Sequence, residues 1–167
     1  MPNNSESISD STPKVTNFFS LPGAGRAERV LGVSQVYKAQ ADQTAGGLVC
    51  VEVTVPTMEG IPLHRHTEED ESFYVLSGQI MIEGDDCGDV PVRLDAGSFF
   101  HRPRGRIHGF HNEGTETAKL LIFISPGSGI EAMFAGLAEL TRQSTEIDPA
   151  KVAAVCGNYG IEFMQPT

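Results

Sequence analysis

All five histidines of this 167-residue chain, His64, His66, His101, His108 and His111, fall between residues 64 and 111. His64-Arg65-His66 lies in a segment with strand character, and side chains of a strand alternate faces, so both imidazoles share one face. Neighbouring imidazoles repel one another when protonated, whereas a shared divalent metal binds them in the neutral form. Glu71 follows His66 after four intervening residues, past a short turn at Thr67–Asp70, where it can turn back towards the pair. A buried carboxylate requires a cationic partner, and a metal held by neutral imidazoles supplies one. Glu68, Glu69 and Asp70 are read as a solvated acidic rim. The second grouping is Gly97-x5-Pro103-x-Gly105-x2-His108-x3-Asn112, a loop shaped by proline and glycine that feeds a strand. On that strand His108, Phe110 and Asn112 share a face, and His111 points the other way and is set aside as a ligand. His101 has no assignable partner and is given a rim or packing role.

The elements that must position these residues are short apolar runs punctuated by Gly and Pro. Strands are expected at Arg29–Lys38, Leu48–Val55, Pro62–His66, Ser72–Leu76, Gln79–Glu83, Val90–Leu94, Ser98–His101, Ile107–Asn112 and Lys119–Ile124. Strands this short and this evenly spaced indicate a β-sandwich or barrel. Val51, Val53 and Val55 alternate with Glu52 and Thr54, the period of a half-buried strand. Residues 127–167 change character. Ser128 and Glu131 have capping-box spacing, and Ile130, Met133, Phe134, Leu137 and Leu140 recur at helical spacing behind them. Asp148-Pro149 opens a second short helix, for which Gly157 is the stop. Both helices are read as covering a sheet or an edge strand, in preference to forming a substrate lid. Residues 1–14 are polar and aperiodic and are expected to be a disordered or loosely docked arm.

Twelve Lys and Arg against 22 Asp and Glu give a net charge of −10. That excludes a general nucleic-acid binder, which needs a basic face, and a polybasic membrane anchor. No run reaches the roughly 20 apolar residues that span a bilayer. Cys50, Cys87 and Cys156 are sparse and odd in number, which predicts free thiols and a reducing, cytoplasmic location.

Both groupings resemble the signature motifs of the cupin superfamily. The first reads G-x3-H-x-H-x4-E-x6-G through Gly60, His64, His66, Glu71 and Gly78, with a leading gap shorter than the family's usual one. The second, Gly97 to Asn112, matches at every fixed position. The resemblance implies an all-β fold with C-terminal helices, a double-stranded β-helix or jelly-roll barrel over residues 15–126. It also implies one divalent transition metal (Fe, Mn, Ni, Co, Cu or Zn) held inside by His64, His66, Glu71 and His108. The segment Asp70–Gly78, the stretch from Pro103 to Phe110, and Tyr159–Phe163 are similar to single-domain quercetinase-like cupins. Those that are enzymes cleave a flavonol ring with dioxygen.

Three functions follow from the resemblance. The first is a metal-dependent dioxygenase on a small aromatic or enolic substrate, with Glu71 as both ligand and proton acceptor. In it Phe73, Phe99 and Phe110 line an aromatic pocket, although ordinary barrel core is an equal reading of each. The second is a non-redox isomerase, epimerase or decarboxylase, and the third a non-catalytic small-molecule-binding or metal-stabilised cupin. Arg102, Arg104 and Arg106 are read as a solvated rim rather than an anion trap. A homodimer is expected, since exposed edge strands need covering.

Overall fold

The computed structural model describes residues 15–164 except 86, 89 and 145, so the expected arm at 1–14 lies outside the described residues. The chain forms two facing antiparallel sheets. One contains β1 (Ala27–Val30), β2 (Val33–Ala39), β3 (Val49–Val55), β5 (Asp70–Ser77), β8 (Phe99–Arg102) and β10 (Ala118–Ser125), in the order β1-β2-β3-β10-β5-β8. The other contains β4 (Gly60–His66), β6 (Gln79–Gly84), β7 (Val92–Asp95), β9 (His108–His111) and β11 (Ile161–Phe163), in the order β11-β4-β9-β6-β7. This is the jelly-roll arrangement expected from the sequence. The inner faces follow the two-residue period: Val51, Val53 and Val55 are buried while Glu52 and Thr54 are half-exposed. Phe73 and Val75 from β5, Ile80 and Ile82 from β6, and Leu120, Ile122 and Ile124 from β10 complete the interior.

Two local expectations are corrected. The run Arg29–Lys38 is not one strand but a hairpin, broken at Leu31-Gly32, with Leu31 in the left-handed region at φ 53°. The apolar pattern continues through the turn because Leu31 packs against the core, and its N–H donates to Thr141 Oγ1 on the following helix. The capping box at Ser128 does not form. Helix α1 (Ile130–Gln143) begins from Gly129, whose φ of 91° suits glycine, and Glu131 ion-pairs with Arg26 on the hairpin side. Helix α2 (Pro149–Gly157) starts as read: the Asp148 carboxylate accepts from Ala150 N–H, with proline in the first turn. The chain then returns to the barrel as β11, a strand not foreseen, whose Ile161 and Phe163 pair with His66 and His64.

Gly60 and Asn112 are structural. A Cβ on Gly60 would lie 2.1 Å from Phe110 O and 2.6 Å from His111 Cα, so glycine is what lets β4 lie against β9. Asn112 is fully buried. Its Nδ2 donates to Val55 O and Glu116 O, and its Oδ1 accepts from Gly114 N–H, which ties β9 to β3 and closes the turn between β9 and β10. Each such bond contributes about 0.5–1.5 kcal/mol net. Asn112→Ala is therefore expected to lower unfolding free energy by about 2–4 kcal/mol, read from urea denaturation. A loss below about 0.5 kcal/mol would show that these bonds do not hold the motif's end.

Candidate metal centre

The barrel topology brings four residues from three strands to one point. His64 and His66 occupy alternate, inward positions of β4, and His108 opens β9 directly opposite His64 in the strand register. Glu71 shares the inner face of β5 with Phe73 and Val75, so its carboxylate crosses from the opposite sheet. One donor atom from each of His64, His66, Glu71 and His108 lies within 4.8 Å of all the others, and all four residues are buried. His108 Nε2 is 2.7 Å and His66 Nε2 3.5 Å from Glu71 Oε2.

The protonation of the cluster follows from its surroundings. Burial first, then the neighbouring imidazoles of His108 and His66, push His64 down to about 3. His64 is thus neutral, and its Nδ1 must be the protonated nitrogen, because the atom 2.8 Å away is the carbonyl of Pro62, which only accepts. Its Nε2 then carries a free lone pair. Burial opposes charging of His66, but the Glu71 and Glu69 carboxylates outweigh that and raise its pKa. Burial would likewise keep Glu71 neutral, yet the charge of His66 and the hydrogen bond from His108 hold its carboxyl at about 2.

The donor set fits a divalent transition metal. Bonds of about 2.1 Å put ligand atoms about 3 Å apart when adjacent and about 4.2 Å apart when opposite, close to the spread found here. Three nitrogens and one oxygen, without thiolate, are borderline-hard donors suited to open sites on Fe, Mn, Co, Ni, Cu or Zn. His108 Nδ1 is buried and has no hydrogen-bond partner among the described residues, so the ring's polar engagement is through Nε2, towards the cluster.

The structure separates the remaining sequence-derived candidates. Phe110 lines the cavity next to the cluster. Phe73 is core, its ring edge-on to His108 at 5.7 Å and absent from the cavity wall. Phe99 is 62% exposed, on the outer face of β8, and takes no part in the pocket. His101 bonds Ser72 Oγ and His111 pairs with Glu113, both outside the cluster. Of the arginines assigned to a solvated rim, Arg102 is buried and donates to Asp85 O and Cys87 Sγ. Arg104 forks onto Asp70, whose carboxyl this hydrogen bonding holds at about 2, and Arg106 faces Asp85. Cys50 and Cys156 are buried free thiols, pushed up to about 11 by burial, and Cys87 is free and half-buried.

Glu69 is the residue that sequence reasoning misplaced. It is 3% exposed, with Oε2 3.4 Å from His66 Nδ1. The acidic run conceals it, because only the fold distinguishes the one inward carboxylate from its solvated neighbours. Helix α1 packs against edge strand β1, and α2 against edge strand β11. Met133, Phe134 and Leu137 of α1 and Cys156 of α2 roof the barrel mouth over a cavity of about 60 Å³, and Ile61, Phe163, His64, His66 and Glu71 stand on its walls. That volume holds a handful of waters. Phe163 from β11 also packs on the His64 ring, at 5.5 Å.

Comparison with known proteins agrees with this geometry. A family model described as Cupin domain matches residues 51–124. Quercetin 2,3-dioxygenase of Bacillus subtilis (strain 168) is 28% identical over 106 residues, 62% of this chain; the chain spans 30% of that relative's length. KdgF from a Halomonas species superposes with a TM-score of 0.59 at 21% identity, covering 70% of this chain and 99% of the other. The polyketide cyclase RemF of Streptomyces resistomycificus gives a TM-score of 0.53 at 25% identity, over 61% of this chain and 74% of its own. Among the described residues, no helix is long and apolar enough to cross a membrane.

A carboxylate on the outer nitrogen of a metal-binding histidine fixes its tautomer, and its removal typically costs 10–100-fold in affinity. Glu69→Gln is expected to weaken metal binding by that factor, measured by chelator competition, without unfolding the barrel. Unchanged affinity would make Glu69 a packing residue only.

Proposed function

Because this chain belongs to the cupin superfamily, we propose that it is a metal-dependent dioxygenase acting on a small enolic or aromatic substrate. The observation that carries the reading is the buried three-histidine, one-glutamate set on the wall of a mostly apolar, helix-roofed cavity. His64, His66, Glu71 and His108 would hold the metal. When bound, it would supply a Lewis acid that makes an enolic or phenolic hydroxyl more acidic and electron-rich towards dioxygen. Dioxygen chemistry as such is suggested by the Bacillus relative, whose name describes a dioxygenase.

The chain's own residues account for the rest. His64 Nδ1 is tied to Pro62 O and His66 Nδ1 faces Glu69, so two imidazoles are fixed in orientation before any ligand arrives. Glu71 Oε2 is engaged with His108 and His66, and Oε1 makes no hydrogen bond among the described residues. Oε1 is therefore the atom placed to take the substrate's hydroxyl proton. A carboxylate this acidic is a weak base, which suffices only for a hydroxyl already acidified, and that links the proton step to the metal's presence. Val51, Val53, Ile61 and Phe110 keep water from the reacting groups.

A second reading is favoured by the structural likeness to a polyketide cyclase: the same site acting as a Lewis acid without consuming oxygen. An oxygen electrode separates the two. The metal-loaded protein is expected to consume oxygen on addition of flavonols, diketones or aryl pyruvates, and conversion of any of these at constant oxygen would select the second reading. His66→Ala and His108→Ala should each abolish stoichiometric metal in purified protein, measured by elemental analysis; one tightly held equivalent in either variant would refute the ligand assignment. Glu71→Gln should lower turnover by about 10²–10⁴-fold while metal content falls less. Parallel loss of both would leave Glu71 a ligand alone.

A further inference from the structure

Apart from the cluster itself, one polar side chain stands on the cavity wall, that of Gln35. It projects inward from β2, in register with Val53, and is 3% exposed. Its Nε2 donates to Tyr37 Oη at 3.3 Å, and Tyr37 Oη donates to Glu28 Oε2 at 3.1 Å. The order of these bonds fixes the amide. A carboxylate only accepts, so the single Tyr37 proton is directed to Glu28, and the phenolic oxygen can then only accept from Gln35. Turning the amide over would set its carbonyl against an oxygen with no proton to offer. Tyr37 is itself held in place, with the Arg26 guanidinium 4.0 Å above its ring and Phe134 of the roof against its edge at 6.5 Å. The carbonyl oxygen, Gln35 Oε1, is left over, with no partner among the described residues.

The carbonyl oxygen opens on the cavity, and the walls around it, Val33, Val51, Val53 and Leu137 among them, offer no donor, so its partner must come from whatever occupies the cavity. We propose that Gln35 determines substrate specificity by accepting a hydrogen bond from a hydroxyl or similar donor on the end of the substrate remote from the metal ligands. Gln35 lies on β2, three strand positions from Glu71 on β5 in the same sheet. The ligand class that satisfies both ends is a slender molecule with chelating oxygens at one end, an apolar body, and one hydrogen-bond donor at the other. Tyr37 acts through Gln35 as a positioning residue. The inference rests on the cavity being the substrate site of the proposed enzyme.

The test is a comparison of matched ligands on the cobalt-loaded full-length protein by isothermal titration. Phenylpyruvate and 4-hydroxyphenylpyruvate share an enolisable chelating end and differ only in the distal hydroxyl. Wild-type protein is expected to bind the hydroxylated ligand about tenfold tighter, the worth of one buried hydrogen bond. Gln35→Leu should abolish that preference while leaving phenylpyruvate affinity within about threefold. Tyr37→Phe, which frees the amide to rotate, should reduce the preference without removing the acceptor, and it serves as the readout if the leucine variant does not fold. Equal binding of both ligands to wild-type protein, or a preference that survives in the variants, would overturn the role of Gln35 and leave the substrate site standing. Failure of both ligands to bind would overturn the site reading together with the inference.

Discussion

An ionised carboxylate inside the barrel is the constraint on which the rest depends. Glu71 is buried with three imidazoles around it, and the charge on His66 together with the hydrogen bond from His108 keeps it ionised against its own burial. Removing one partner from a buried pair of this kind typically costs about 3–5 kcal/mol, because the other charge is left unpaired. The two sheets are thereby joined through polar contacts at the point where their apolar packing stops. Glu71 comes from the sheet of β3, β5 and β10, and the histidines come from β4 and β9. A metal at this point would replace shared protons as the positive charge, with the same side chains serving either state.

Support for the cluster extends outward through backbone as well as side chains. The loop at Pro103–Ile107, which delivers His108, is pinned on two sides. Gly105 N–H donates to His66 O, and Arg104 uses both its backbone N–H and its guanidinium on Asp70. Gly105 has a φ of 80°, a conformation that suits glycine and lets the backbone close onto β4. Asp70 and Glu71 are adjacent on β5 with opposite orientations, so one fixes the loop outside while the other faces the cluster inside. The acidic run after the histidine pair thus divides its work: Glu69 steadies His66, Asp70 anchors the loop, and Glu68 is left to solvent.

The parts of this arrangement written in short-range spacing were legible in the sequence. His64 and His66 share a face because strands have a period of two, and the valines of β3 reveal their inward side in the same way. What failed to show in the sequence depends on contacts between distant segments. Nothing local marks Glu69 as the inward member of an acidic run, or Gln35 as the polar exception on an apolar wall. Arg102 looks like a surface cation until its bonds to Asp85 O and Cys87 Sγ are seen. Phe73, Phe99 and Phe110 have equal weight as text, yet one is core, one is on the outer surface and one is on the cavity wall. The apolar stripe of α1 marks a buried face in the sequence as in the structure. Only the topology shows that what it covers is the barrel mouth, because β11 must first return the chain to β4.

The roof gives the site its electrostatic character. With Met133, Phe134 and Leu137 in place, the cluster faces a cavity large enough for a few waters and bounded almost wholly by hydrocarbon. Both groups become more acidic there for different reasons: burial first keeps His64 neutral, whereas the His66 charge and the His108 hydrogen bond, stronger in such a space than in water, keep Glu71 ionised against its burial. The same enclosure limits what can occupy the site. A cavity of about 60 Å³ lies well below the roughly 300 Å³ at which ordinary ligand pockets begin, so a ligand larger than a few heavy atoms must displace roof side chains as it enters. Met133 is suited to this, since its unbranched thioether repacks easily, and Cys156 Sγ lies 3.7 Å from its sulfur as a soft neighbour. Hairpin and helix are tied at their edges by Arg26–Glu131 and Leu31–Thr141, leaving apolar contacts at the centre as the yielding part of the roof. On the proposed reading, selection acts through shape at the roof and through Gln35 on the wall, with the cluster holding the metal that binds the other end.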